Sequence, residues 1–204
     1  MNKEKRAYMC DVSTRTDEKH GNVLEGVPIV YDSETDIGGM WREIIDRGAL
    51  DEADLKDVRF LVNHDINSIP LARSRNNNEN STMQMTVGND GLHVRVDLDT
   101  EGNPKAKELY SAIKRQDISG MSFMFSVKAD SWEDLDTDYP TRHITALDKV
   151  FEVSAVTFPA YEQTSINARS VETGQASLES AREALENAKK TEELRKQIIE
   201  RCKK

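Results

Sequence analysis

A chain of 204 residues suits one compact domain with tails, and a composition of 32% charged against 37% hydrophobic residues concentrates any core in part of it. The formal net charge of −9 excludes broad binding to nucleic acid or anionic membranes, both of which need a basic face. Two cysteines, Cys10 and Cys202, make neither a disulfide framework nor a metal cluster; with no apolar run near the roughly 20 residues of a spanning helix and no apolar stretch in MNKEKRAYMC, the expectation is a soluble, cytoplasmic protein in a reducing compartment.

Residues 1–22 are polar and read as a flexible segment, with a weak strand pattern at 6–12. Residues 23–168 carry nearly all the aromatic and β-branched residues and form the predicted domain. VLEGVPIVYD (23–32) reads as a strand with Pro28 at a bulge or edge. Residues 40–50 fit a short helix or a strand that runs into a turn at Gly48. VRFLVNHD (58–65) reads as a strand ending at polar Asn63, His64 and Asp65. A hairpin follows, with a strand at 81–87, the turn signal NDG at 89–91 and an alternating return strand, LHVRVDL, at 92–98. NPKAKELYSAIKRQD (103–117) is the clearest helix, with Pro104 in its first turn and Ala106, Leu109, Tyr110 and Ile113 on one face.

ISGMSFMFSV (118–127) is read as a strand with Met121, Phe123, Phe125 and Val127 on one face and Gly120, Ser122, Met124 and Ser126 on the other. Residues 131–140 read as an acidic loop, and 141–160 as two closing strands. Residues 163–177 link this domain to an amphipathic tail at 169–204, whose Leu178, Ala181, Leu185, Ala188, Leu194 and Ile198 make an apolar stripe for a partner or coiled coil.

Three residues stand out for chemistry. His64 ends an apolar strand, where a base is accessible; its ordinary alternative is a turn histidine satisfied by Asp65. Ser122 lies inside a strongly apolar strand, where an unbonded hydroxyl costs about 1–3 kcal/mol, and Gly120 leaves space on its face. A backbone-bonded or solvated serine would look the same, whereas Ser119 falls on the packing face. Glu152 interrupts the apolar VFEVSAVTFP, sharing a face with Val150, Ser154 and Val156, and needs water or a cationic partner. Serine, imidazole and carboxylate are a nucleophile, a base and an orienting acceptor. Spacing alone does not choose between that set and three ordinary residues, and His143 is a second available imidazole.

At these residues the chain resembles the prohead maturation proteases of tailed bacteriophages, which are distantly similar to the herpesvirus assembly proteases. GVPIVYD resembles a first glycine-containing strand of that family, and IIDRGALDEADLKDVRFLVNHD, with Ile45, Gly48, Ala49 and Leu50, resembles its block ending in NHD. NDGLHVRVDL, DISGMSFMF and FEVSAVTFPAYEQTSI resemble three further blocks, in order across about residues 23–168. The resemblance implies an α+β, mainly β fold: a herpesvirus-protease-like β-barrel flanked by helices, with a C-terminal helical tail. It implies a serine endopeptidase without metal or other cofactor. Ser122 is then the nucleophile and His64 the base, with Glu152 or, failing that, His143 as third member. Met124 departs from a glycine common in the family. Oxyanion donors would be backbone N–H groups near Ser122 or an arginine such as Arg73.

The implied partners are the scaffold region of the major capsid protein, the scaffolding protein and the chain itself, with a homodimer conceivable by analogy with herpesvirus enzymes. The place of action would be the procapsid in the bacterial host cytoplasm. The tail would then carry the protease into the shell, and autocleavage in the 163–177 linker would remove it. Two competing readings are a non-catalytic assembly factor on the same fold and a metal-dependent hydrolase using His64 and Asp65; no paired His/Cys spacing supports the latter.

Overall fold

A computed structural model describes residues 3–9, 12–18, 20–157 and 168–202. The backbone of the architecture is a hairpin of two long strands, β10 (Gly120–Glu133) and β11 (Thr141–Val156). On its far side β11 takes two parallel partners, β5 (Trp41–Ile45) beside its first residues and β6 (Asp57–Val62) beside its last. β1 (Glu4–Met9) flanks β10, β4 (Thr35–Ile37) flanks β5, and β7 (Ala72–Arg75) flanks β6, which completes a seven-stranded sheet. A second, four-stranded antiparallel sheet has the order β2 (Ser13–Asp17), β3 (Gly21–Val30), β9 (Gly91–Leu98), β8 (Met83–Val87).

The class expected from sequence, α+β and mainly β with a C-terminal helix, is therefore observed. The expected β-barrel is not: β1, β4 and β7 end one branched sheet, β2 and β8 end the other, and closure would require end strands to pair.

Alternation explains the core. β9 buries Leu92, Val94, Val96 and Leu98, and β10 buries Met121, Phe123 and Phe125, against Leu24 and Ile29 of β3, Phe60 of β6 and Val153 of β11. α1 (Pro104–Lys114) adds Ala106, Leu109 and Ile113; Asn103 caps it by accepting from the Lys105 N–H, and Pro104 needs no donor there. The β3–β9 ladder shifts register between Gly26 and Ile29, so Pro28 sits at a bulge as its missing N–H predicts. Gly91 lies so close to β3 that a Cβ would stand 1.9 Å from the Ile29 carbonyl oxygen.

Several boundaries differ from the sequence reading. The ambiguous 40–50 segment is the strand β5, followed by a turn through Gly48. β10 runs on to Glu133, shortening the acidic loop, and 141–156 is one bulged strand rather than two. Strands β1 and β2 lie within the segment read as flexible, and β4 and β7 carry too few residues to show a period. The end of the 141–160 reading, Cys10 and the first part of the 163–177 linker fall outside the described residues. α2 (Ala168–Cys202) begins inside that linker and docks on its own domain before it projects: Trp132 donates to Ser177 at 3.0 Å, and Arg182 donates to the Leu135 and Thr137 carbonyls. Leu194, Ile198 and Ile199 of the tail are exposed.

A buried ion network ties β1 to the sheet. Glu4, Arg6, Glu43 and Arg142 are all at most 3% exposed. Arg6 donates through Nε and Nη2 to both oxygens of Glu43 and through Nη2 to Glu4. Arg142 donates to Glu4 and to Glu43 at 3.0 Å and to Asp130 at 2.7 Å. Removing one partner from such a set costs about 3–5 kcal/mol, because the remaining charge is left buried and unpaired. Burial alone would raise the Glu43 carboxyl, but the charges and hydrogen bonds of Arg6 and Arg142 hold it below its ordinary value. A lowered carboxylate stabilises the fold fully above the unfolded value, here 4.5, and loses that contribution as pH falls through the lower folded value. Wild-type Tm should therefore fall more steeply with acidification below that point than the Tm of Glu43→Gln. Parallel curves in calorimetry would remove Glu43 from the acid transition.

Candidate active site

The turn after β6 places His64. Asn63 and His64 have φ of 50° and 57°, a left-handed pair that asparagine and histidine tolerate better than most residues. The turn is stapled to the end of β11: Asn63 N–H donates to the Ala155 carbonyl at 2.9 Å, its side chain donates to Thr157 Oγ1 at 3.0 Å, and Thr157 N–H returns to Asn63 Oδ1 at 2.9 Å. The chain thus turns back over β11, and the His64 ring meets Glu152 through Nδ1.

Glu152 reaches that position because of a bulge. Between Met124 and Phe125 on β10, β11 advances from Glu152 to Val150, so Phe151 is the extra residue. Val153, Ala155 and Val150 consequently all face the core, with Phe123, Met121 and Phe125 opposite them. Ser122, Met124, Glu152 and Ser154 share the other face. Val150, grouped with Glu152 by simple alternation, is moved to the core by this bulge.

The Glu152 carboxylate is 4% exposed and the His64 ring 16%. One carboxylate oxygen engages His64 Nδ1 and the other accepts from Ser154 Oγ at 2.6 Å; the same Ser154 oxygen accepts from the His64 N–H at 3.1 Å. A carboxylate on Nδ1 fixes the tautomer with the proton there and leaves the Nε2 lone pair for another partner. Ser154 was not singled out from sequence. Its signal was present in the Glu-Val-Ser spacing, which puts it beside Glu152 on one face of a strand.

Ser122 stands directly opposite Ser154 in the β10–β11 ladder, one strand away from the imidazole–carboxylate pair. It is 0% exposed, and its hydroxyl donates to the Arg6 carbonyl of β1 at 2.6 Å rather than to His64. The structure thus brings His64 and Glu152 into contact and sets Ser122 on the same face with its proton directed elsewhere. His143 is not part of this group: it pairs Ser131 and Ile44 near the start of β11 and bonds Asp46 at 2.8 Å. Arg73 is held on β7 by Asp57, at 2.7 and 2.9 Å.

Asp65 turns away from His64, to the Asn67 N–H and the Ser68 hydroxyl, so the two do not converge on one point. Among the described residues no group of three or more His, Cys, Asp or Glu is placed to hold a metal ion, and no helix is long and apolar enough to cross a membrane. A cavity of about 450 Å³ opens beside the His64 turn, lined by Leu61, Asn63, Ile69, Leu71, Leu109 and Ile118 among others.

Serine, imidazole and carboxylate on one face of a mainly β domain are the residue set of serine hydrolases. A family model sharpens that class: the model described as caudovirus prohead serine protease matches residues 10–177, and the chain belongs to that family. Among solved structures, the bacteriophage T4 capsid assembly protease, gp21, aligns with 15% identity and a TM-score of 0.37, over 75% of this chain and 98% of that one. No curated protein matches.

Proposed function

We propose that the chain is a serine endopeptidase that acts by acyl transfer, with Ser122 as nucleophile, His64 as general base and Glu152 orienting the imidazole. The observation that carries this reading is the His64–Glu152 pair, formed across 88 residues of sequence at the face where Ser122 lies. Glu152 holds the proton on Nδ1, so Nε2 is free to take the serine proton and later deliver it to the leaving amine. The substrates are the scaffold region of the major capsid protein, the scaffolding protein and the chain itself, inside the procapsid in the host cytoplasm. Membership of the prohead protease family favours these substrates. The cavity beside the His64 turn offers an apolar side chain of the substrate a place. The projecting, apolar-striped end of α2 suits delivery to scaffold helices.

Prolonged incubation of the full chain with a fluorophosphonate, followed by peptide mapping, tests the assignment. The adduct is expected on Ser122. An adduct on Ser154 would transfer the nucleophile one strand over, and no adduct at all would favour the non-catalytic assembly factor.

A further inference from the structure

A nucleophile has to present its oxygen to a substrate carbonyl while a base removes its proton. Ser122 does neither here, because it has no exposed surface and its proton is committed to the Arg6 carbonyl. The covering element is β1, which pairs antiparallel with β10 from Glu4 opposite Phe125 to Met9 opposite Gly120, with Ala7 opposite Ser122. β1 ends the seven-stranded sheet. Without it β10 would be the edge, and a bare edge is a template on which an extended peptide adds by backbone hydrogen bonds, with pockets for alternate side chains. β1 has both features. Its backbone runs along the whole segment that carries Ser122, and its alternate residues Glu4 and Arg6 insert into the buried set formed with Glu43 and Arg142.

We propose that the edge of β10 from Gly120 to Phe125 is the docking site for an extended substrate peptide, and that β1 is a built-in mimic of that peptide which keeps Ser122 latent. The inference rests on Ser122 being the nucleophile. The occupant that replaces β1 is a peptide strand with an acidic and a basic side chain two positions apart, the acid meeting Arg142 and the base meeting Glu43. While β1 is seated, the Ser122 proton points to the strand and not to His64. When β1 leaves, the hydroxyl turns to the imidazole on its own face of the sheet.

A fluorophosphonate reads the accessibility of Ser122 directly. Arg6→Ala in the full chain withdraws the guanidinium that anchors β1, and should raise the rate of Ser122 labelling by about tenfold or more over wild type, the sign of a shifted population. A synthetic peptide of residues 3–9, KEKRAYM, in excess should slow that labelling again, whereas a scrambled peptide should not. Because Arg6 is buried, a second chain keeps the test independent of its folding. Lys5 and Met124 are directly opposite partners, and such antiparallel pairs have Cα separations of about 4.5–5.5 Å, within disulfide range. Lys5→Cys/Met124→Cys, with Cys10 and Cys202 replaced by serine, should label at least about tenfold more slowly oxidised than reduced. Equal rates with the disulfide verified by mass would overturn the proposal while leaving Ser122 as the nucleophile. Absence of any Ser122 adduct in every chain and redox state would instead overturn the protease reading, and this proposal with it.

Discussion

Ser122→Ala is expected to leave a folded protein whose peptidase activity falls by a factor on the order of 10⁶, the scale of losing a nucleophile in an assembled serine protease site. The stability cost should be small by comparison. The lost hydroxyl donates one hydrogen bond, to the Arg6 carbonyl, and losing such a bond costs about 0.5–1.5 kcal/mol. Alanine otherwise fits the space on the face shared with Met124. The two effects are separable: a melting curve reports the fold, and intact-mass mapping of the purified chain over time reports self-trimming. Wild type should shorten at defined peptide bonds and Ser122→Ala should keep its full mass.

Ser154→Ala is the informative control. It removes a donor to Glu152 and an acceptor for the His64 N–H, so it disturbs the position of the pair without removing the attacking oxygen. Its activity loss should be far smaller than that of Ser122→Ala. If the two losses exchanged places, Ser154 would be the nucleophile.

The contrast between these two serines also marks where the sequence stops being sufficient. Periodicity located the faces of β10, because Met121, Phe123 and Phe125 are large and apolar while Gly120 and Ser122 are small. It located the hairpin from NDG and the helix from Asn103-Pro104, where turn and cap chemistry are local. It failed where geometry depends on an irregularity or on distant pairing. The extra residue at Phe151 has no side-chain signature, yet it decides that Val150 joins the core while Glu152 joins the site. Glu4, Arg6, Glu43 and Arg142 carry no local signal of burial; only the assembled sheet places them where they satisfy one another. The pairing of β1 with β10 spans more than a hundred residues, so the strand that covers Ser122 and accepts its proton was invisible. The barrel expectation came from resemblance, and closure depends on which end strands pair, a property no single segment encodes.

Glu152→Gln tests the chemistry of the pair most sharply, since it conserves volume and removes only charge and one acceptor. The carboxylate accepts twice, from the His64 ring and from Ser154. An amide has a single acceptor oxygen, and its NH₂ group can only donate. If the amide oxygen stays with Ser154, the NH₂ group faces Nδ1, which must then lose its proton, and the hydrogen moves to Nε2. The lone pair needed to deprotonate Ser122 is thereby occupied. If the amide turns the other way, the tautomer survives, but the imidazolium formed during attack loses the negative charge beside it, at a site where the carboxylate is only 4% exposed and water screens little. The substitution should therefore lower kcat by roughly 10⁴, with KM little changed, as expected when an orienting carboxylate is made neutral. Fluorophosphonate labelling of Ser122 should slow in parallel, because it draws on the same base. Glu152→Asp keeps the charge on a shorter side chain and should fall between wild type and the amide. A Glu152→Gln chain that cleaves within about tenfold of wild type would show that the carboxylate is a structural anchor for the Asn63–His64 turn and that the imidazole is oriented by something else.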